Sequence, residues 1–480
     1  MENFFNLEEE DFGWSDENEL VARYENMLTN RQSAFFSVDD YEELYFYYVN
    51  FYADAFFMQA DQLAKGSAVI KAAIAQYPDS EILQLLQIYH SFKENRLSKR
   101  MLIDKLGQIQ SPNYEQEHFT NTLAHIYRQI GERNKALPLF HSLLENACTQ
   151  EDRLELYYEI MFSYETAEEA PQVLKYCNSV LETGLVSHET LCAELYGFFW
   201  LRSIAIPVFE LLTQQYTFSM SAWMYLGKSY ADIMMFDESA RALKYAIAIS
   251  NHPEPLVALG RVLTISGKIA EAFECFEEAL QIDPEQEELY TEMGELLCSM
   301  NNSERAMYFF SQALDANKDD INALMGMALA LSSLERYNDS IEYIMQAKRI
   351  EALSLEAWLL LADNYIEVDR DSEAVDIYQQ LAKQYPKDVD VWLSYSNYYA
   401  MIEDFQMAVV IAKQGLAILQ DNPYLLYRIA NYCFLDQDIP QGITYLQWAY
   451  RINAALANFF VDYDEEVMKI SEVIGIVNGE

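Results

Sequence analysis

A pair of small residues, twelve positions apart, recurs along this chain about once every 34 residues. Two antiparallel helices approach closely only where both carry small side chains, so the pattern predicts a series of tightly packed helix pairs. Nine pairs have two small members: Ala124/Ala136, Ala193/Ala205, Gly227/Ser239, Gly260/Ala272, Gly294/Ala306, Ala328/Ser340, Ala362/Ala374, Ser396/Ala408 and Ala430/Gly442. A tenth pair, Tyr158 and Ala170, keeps the spacing but has a bulky first member.

Large side chains recur with the same period. Most second small residues are followed four positions later by a bulky one, as in Phe209, Phe276, Phe310 and Tyr378. A spacing of three or four residues places two side chains on one face of a helix. Gly 15 and Pro 11 are too few for a turn-rich β protein. The sequence therefore predicts an all-α fold, an α-solenoid of antiparallel helix pairs.

Several repeats match a known consensus. The run from Trp223 to Tyr230 reads W-M-Y-L-G-K-S-Y, and Ala272, Phe276, Ala279 and Pro284 fit the second half of the consensus. A further match comprises Trp358, Leu361, Ala362, Tyr365, Ala374, Tyr378 and Pro386. In these residues the chain resembles the tetratricopeptide repeat (TPR) family. The resemblance implies a superhelix whose concave groove takes peptides or partner helices.

The repeat boundaries divide the chain into four expected parts. Residues 117–456 hold about ten TPR-like repeats, and residues 39–116 hold degenerate helical repeats. Residues 457–480 are expected to form a capping helix, with Val467, Ile470, Ile474 and Val477 as its apolar stripe. Residues 1–38 form an acidic, partly disordered segment. Its aromatic residues either pack on the first helices or fold on a partner.

Charge limits the classes of partner. Asp and Glu number 76 against 32 Lys and Arg, so the formal net charge is −44. Such a surface repels the phosphates of nucleic acids and of anionic lipids, and it attracts basic protein segments. The alternative is that the acidity only keeps a long apolar solenoid soluble. No run of 18 apolar residues occurs, so no membrane insertion is expected.

The sequence constrains the cellular compartment and any catalytic or metal site more weakly than it constrains the fold. Six cysteines without a C-x-x-C pair and a start lacking a secretory signal favour a cytoplasmic protein. The six histidines show no metal-binding motif, and His118 and His125 lie two helical turns apart. The run from Gly260 to Lys268 is two residues too long for a phosphate-binding loop. We therefore expect no catalytic residues, no cofactor and no metal.

The expected function is that of a non-catalytic scaffold or adaptor that binds other proteins. Two alternatives are a regulatory or co-chaperone-like subunit of a larger complex and an enzyme with an unrecognised site. A co-chaperone clamp needs basic groove residues, and the corresponding sites include Met224, Lys228, Val257, Arg261 and Glu295. These do not reproduce a basic clamp.

The resemblance also implies a binding surface. In this type of repeat the second, fifth and ninth residues of each first helix face the groove. Here they form an apolar strip edged with carboxylates, which fits a segment carrying Lys or Arg beside apolar anchors. The alternative is that these carboxylates only reflect the acidity of the whole chain. The predicted groove residues are Glu288, Glu295, Met325, Glu356, Leu359, Asp363, Asp390, Leu393 and Asn397.

Overall fold

The computed structural model describes residues 17–30, 36–49, 60–109, 116–199, 203–457 and 471–478. Throughout these ranges every regular element is a helix, and no strand is present. The chain divides into an N-terminal unit, Met1–Ser250, and a C-terminal unit, Asn251–Glu480. The predicted all-α fold of antiparallel helix pairs is confirmed.

The N-terminal unit contains thirteen described α-helices and one 3-10 helix, Ala167–Glu169. The helices α2 to α5 form two pairs, and α6 to α13 form four more. Their bounds are α1 Glu17–Asn30, α2 Val38–Val49, α3 Ala60–Gln76, α4 Glu81–Lys93, α5 Lys99–Leu106, α6 Gln116–Gln129, α7 Arg133–Asn146, α8 Gln150–Met161, α9 Ala170–Thr183, α10 His188–Phe199, α11 Ala205–Gln215, α12 Met220–Asp232 and α13 Phe236–Ile249.

The C-terminal unit contains six helix pairs and one further helix within its described residues. A 3-10 helix, Ala454–Leu456, follows the last pair. The bounds are α14 Pro253–Ile265, α15 Ile269–Ile282, α16 Glu287–Ser299, α17 Ser303–Ala316, α18 Ile321–Ser333, α19 Tyr337–Ile350, α20 Leu355–Glu367, α21 Asp371–Gln384, α22 Val389–Met401, α23 Phe405–Ile418, α24 Pro423–Leu435, α25 Ile439–Ile452 and α26 Ser471–Asn478. Each second helix packs on its own first helix and on the first helix of the next pair.

The turn inside each pair has a recurring geometry. Glu335 and Asp369 adopt left-handed backbone conformations, with φ of 60° and 57°, in the turns after α18 and α20. The next residue closes the turn: the Arg336 amide donates to the Leu331 carbonyl at 2.9 Å. This hydrogen bond satisfies a carbonyl that the end of the helix would leave unpaired. The chain therefore reverses within three residues, and the two helices run antiparallel.

Glycines mark the closest approach of two helices in a pair. A Cβ atom added to Gly227 of α12 would lie 2.6 Å from Leu243 Cγ of α13. One added to Gly260 of α14 would collide with the ring of Phe276 on α15. The missing side chain is the space that the large residue fills, as the small-residue pattern predicts.

Phe310 of α17 extends this packing to the next pair. Its fully buried ring rests against Gly294 of α16 and against Gly326 of α18. The sequence predicts the first contact but not the second, because the period assigns Ala328 as the small residue of α18. One ring therefore holds three helices together.

A buried polar network links two other pairs. The Ser340 hydroxyl of α19 donates to the Ala328 carbonyl at 2.7 Å. Asn364 of α20 is 1% exposed; its amide donates to Ser340 Oγ at 2.7 Å, and its carbonyl oxygen accepts from Ser332 at the same distance. Buried polar groups are tolerated when each finds a partner, and such a network fixes the alignment of the packed helices.

The ends of the chain are only partly described. Tyr24 of α1 is buried, with its ring against Phe36 and Tyr48. At the other end α26 packs on α25 through Val473, which is fully buried, whereas Ile474 is 40% exposed. Ile474, a residue of the predicted stripe, is thus partly exposed, while its neighbour Val473 is buried. Val467, Ile470 and the N-terminal aromatic residues lie outside the described residues, and the four-part division stays a prediction.

Replacing Gly260 with Leu should force α14 and α15 apart, because the new side chain competes with Phe276 for one space. We expect a loss of about 1–3 kcal/mol, the usual cost of overpacking a core. Urea unfolding of the full chain measures it. Ala270→Leu, at an exposed position of α15, adds the same side chain without a collision. Equal unfolding midpoints for the two variants would contradict this account.

Candidate partner-binding surface

The first helices of the C-terminal unit lie side by side. Helix α16 packs on α18, α18 on α20, α20 on α22, and α22 on α24. Each first helix buries one face, as α20 does with Ala357, Leu361, Ala362 and Tyr365. We call the set formed by the second, fifth and ninth residues of α16, α18, α20 and α22 the inner surface; of these twelve residues only Thr291 is buried.

All nine predicted groove residues lie on these four helices, which begin where the sequence register requires. Met325, Leu359, Leu393 and Asn397 are half-buried. The five carboxylate residues are exposed: Glu288, Glu295, Glu356, Asp363 and Asp390. The inner surface thus combines an apolar floor of half-buried residues with more exposed acidic ones.

One further apolar residue belongs to this surface. Leu329, the ninth residue of α18, is 50% exposed. On the neighbouring helices the ninth residues are Glu295 and Asp363. An exposed leucine therefore lies between two acidic positions. The register places Leu329 on this face, but its exposure depends on how far adjacent helices separate, which the sequence pattern does not give.

An arginine from the preceding repeat already engages the acidic edge. Arg261 of α14 makes a two-pronged ion pair with Glu292 of α16, with Nη2 to Oε1 at 2.7 Å and Nε to Oε2 at 3.3 Å. Glu288 lies 3.8 Å from the same guanidinium. A bidentate guanidinium–carboxylate pair is among the stronger polar contacts in proteins. Arg261 is therefore oriented toward acids, which disfavours a clamp for a partner's carboxylate.

Two groove carboxylates have raised pKa values. Desolvation raises the pKa of Glu295, and the nearby charges of Glu292 and Asp320 raise it further. Desolvation also raises the pKa of Asp363, although Tyr378 donates a hydrogen bond to its Oδ1 at 2.7 Å and opposes the shift. Ionisation of both groups is penalised by their surroundings. A cationic partner would remove part of that penalty.

The N-terminal unit has an acidic cavity of its own. It measures about 710 Å³ and lies between α6 and α8. Burial and the charge of Arg128 lower the pKa of His125, one lining residue, to about 3, so this imidazole is neutral. The lining residues are Glu117, His118, Asn121, His125, Leu143, Asp152, Glu155, Leu156, Tyr158 and Glu159.

Histidines 118 and 125 do not share a ligand-like arrangement. His118 Nε2 lies 2.6 Å from Glu42 of α2, whereas His125 Nδ1 lies 3.4 Å from Glu159 of α8. In the part of the chain that the structure describes, one group of side chains brings three metal-type donors together: Asp39, Glu42 and His118.

Family comparisons match three stretches of the chain. Models described as tetratricopeptide repeat match residues 122–155 in the N-terminal unit, and residues 263–330 and 355–397 in the C-terminal unit. These stretches cover α14 to α18 and α20 to α22 in part, so they include most of the inner surface.

Individual relatives are distant. The BBSome complex member BBS4 of Bos taurus is 24% identical over 100 residues, or 21% of this chain. That alignment spans only 19% of the bovine protein's length. A tetratricopeptide repeat protein from Parabacteroides merdae is 16% identical, with a TM-score of 0.43 over 54% of this chain and 98% of its own.

Two further solved structures are similar. YrrB, described as a TPR protein with an unusual peptide-binding site, is 14% identical, with a TM-score of 0.36 over 39% of this chain and 96% of its own. Pseudomonas aeruginosa pilF is 16% identical, with a TM-score of 0.35 over 57% of this chain and 99% of its own. The chain therefore contains stretches matched as tetratricopeptide repeats in both of its units, at residues 122–155, 263–330 and 355–397.

Proposed function

We propose that this protein is a non-catalytic scaffold or adaptor whose inner surface binds a partner segment carrying basic and apolar residues. The observation that carries the proposal is the arrangement on α16, α18 and α20. There the exposed Leu329 and the half-buried Met325 and Leu359 lie among acidic positions. Apolar anchors would be buried against the floor, while Lys or Arg would face the carboxylates.

Among the described residues, most of these carboxylates make no ion pair. Glu288 is near Arg261, but no ion pair to Glu295, Glu356, Asp363 or Asp390 occurs among the described residues. Charges that are already paired contribute little to a new interface, whereas unpaired ones can attract a ligand and set its register. Four acidic groups therefore remain available to an incoming basic segment.

The proposal extends to compartment and chemistry. All six cysteines are free thiols. Burial raises the pKa of Cys177 to about 12, which suits an unreactive core thiol. We infer a reducing compartment such as the cytoplasm and no catalytic role. No described helix has the length and apolar character that crossing a membrane requires.

A second candidate is a subunit of a larger assembly. It is favoured by the short alignment with the bovine BBSome complex member, which is itself part of a complex. In that case the bound segment would belong to a stable neighbour rather than to a transient ligand. Native mass spectrometry of the protein isolated from its own cells separates the two, because only a stable subunit co-purifies at fixed stoichiometry.

Reversing two charges on the inner surface should weaken the binding of basic peptides. We would select binders from a random phage-displayed peptide library on the full chain, then measure their affinity by fluorescence anisotropy. Peptides enriched in Lys or Arg beside Leu or Met are expected. The double variant Glu295→Lys with Glu356→Lys should bind these peptides at least about tenfold more weakly. Added salt should weaken their binding to the wild type, since charges are screened beyond about 8 Å at physiological ionic strength. Asp363 is left intact because it holds Tyr378.

The control for this test carries Glu342→Lys and Asp376→Lys, two exposed acids on the second helices α19 and α21. It changes the net charge by the same amount without altering the inner surface. Equal losses in both double variants would assign the attraction to overall acidity. Recovered peptides without basic residues would also contradict the proposal.

Glu295→Gln should raise the free energy of unfolding and weaken the binding of basic peptides. It removes repulsion from Glu292, three residues earlier on α16, and from Asp320. A like-charge pair at helical spacing costs about 0.2–0.5 kcal/mol, which sets the expected gain in urea unfolding. Because the raised pKa of Glu295 makes it lose charge at a higher pH than an ordinary glutamate, wild-type affinity should fall as pH is lowered from neutrality, and less so in the variant. Glu342→Gln, the control, should change neither property; a destabilised Glu295→Gln protein would refute this explanation.

A further inference from the structure

Three potential metal ligands meet where α2 packs near α6 in the N-terminal unit. One donor atom from each of Asp39, Glu42 and His118 lies within 4.8 Å of the others. Glu42 Oε2 is 2.6 Å from His118 Nε2. The ligands come from two helices, and Glu42 and His118 are 76 residues apart in sequence, so the spacing of histidines alone does not reveal them.

The buried member of the group is Glu42, which is only 2% exposed. A buried carboxylate is unfavourable unless a cation or several donors compensate its charge. Its Oε1 accepts a hydrogen bond from the Thr122 hydroxyl at 2.9 Å, and its Oε2 faces the imidazole of His118. Thr122 thus orients the carboxylate and leaves one oxygen directed at the other donors, as outer hydrogen bonds do for metal ligands.

The remaining ligands are accessible. His118 is 48% exposed at its side chain and also lines the 710 Å³ cavity between α6 and α8. Asp39 lies exposed in the first turn of α2. That turn is fixed by a reciprocal pair of hydrogen bonds: the Ser37 amide donates to Asp40 Oδ2 at 2.7 Å, and the Asp40 amide donates to Ser37 Oγ at 3.0 Å. An ion can therefore reach ligands that the fold already holds close.

We propose that Asp39, Glu42 and His118 form a binding site for a divalent transition-metal cation, with Zn²⁺ the ion that this donor set fits best. One imidazole with two carboxylates suits zinc, whereas Mg²⁺ and Ca²⁺ prefer oxygen ligands alone. Zinc bonds of about 2.0–2.2 Å place neighbouring ligand atoms about 3.4 Å apart, so His118 and Glu42 separate by less than about 1 Å on binding. Water completes the coordination.

The ion would link α2 to α6, which is the first helix of the next pair but one. Metal that binds only the folded chain stabilises it, because a site assembled by distant residues does not exist when the chain is unfolded. The inference concerns stability and metal content, and it is independent of what the inner surface binds.

The test is a titration of the metal-free full chain with ZnCl2. Isothermal calorimetry measures the binding, and the melting temperature measures the change in stability. We expect wild type to bind one Zn²⁺ at this site and to melt at a higher temperature when it does. Asp39→Asn and His118→Ala should each weaken this binding at least about tenfold, since even outer-shell partners are worth about 10–100-fold. Both residues are exposed enough that folding should persist, which circular dichroism checks.

Glu43→Gln is the matched control. Glu43 is exposed on α2 beside Glu42, so the change removes one negative charge and leaves all three ligands in place. The free thiols, of which Cys148 is exposed, are a competing zinc site. The spectrum of bound Co²⁺ distinguishes them, because a thiolate ligand adds an intense near-ultraviolet band that oxygen and imidazole do not. No zinc binding at 100-fold molar excess, equal weakening by Asp39→Asn and Glu43→Gln, or a thiolate spectrum would each overturn the proposal.

Discussion

The contact between a large side chain and a missing one determines the spacing of the helices. Phe276 against Gly260, and Phe310 against Gly294 and Gly326, show why the small residue must recur. Protein interiors are packed about as densely as organic crystals, so a helix pair cannot close unless this space is available. The connecting turns, the buried polar hydrogen bonds and the exposed inner surface all depend on that spacing.

The fold was predictable from the sequence because its main determinant is local and repeated. A period of 34 residues and a spacing of twelve identify each pair without knowledge of the rest of the chain. The contacts between pairs were harder to predict. Gly326 packs against a ring from the preceding pair, and Asn364 bonds two hydroxyl groups, of Ser332 and Ser340, from different helices. Such partners are set by how one pair rotates on the next, which no single repeat specifies.

The places of the candidate residues along their helices were predictable, but their electrostatics were less so. The register placed nine residues on four adjacent helices, and the helix starts agree with it. The sequence did not reveal that Arg261 would be held by Glu292, or that Tyr378 would donate to Asp363. It also gave no sign of Glu42 and His118 together, because those residues are adjacent only after α2 and α6 have packed. Long-range pairings between polar residues carry no periodic signal.

Each helix pair of the C-terminal unit makes its packing contacts with itself, with the pair before it and with the pair after it. Because these contacts reach only adjacent pairs, one repeat can be duplicated as a unit. Duplication or loss of one 34-residue segment would preserve the contact between large and small residues inside each remaining pair, since both members of that contact lie within one segment. The number of repeats can therefore change in evolution in whole steps, lengthening or shortening the inner surface while the packing rule stays the same.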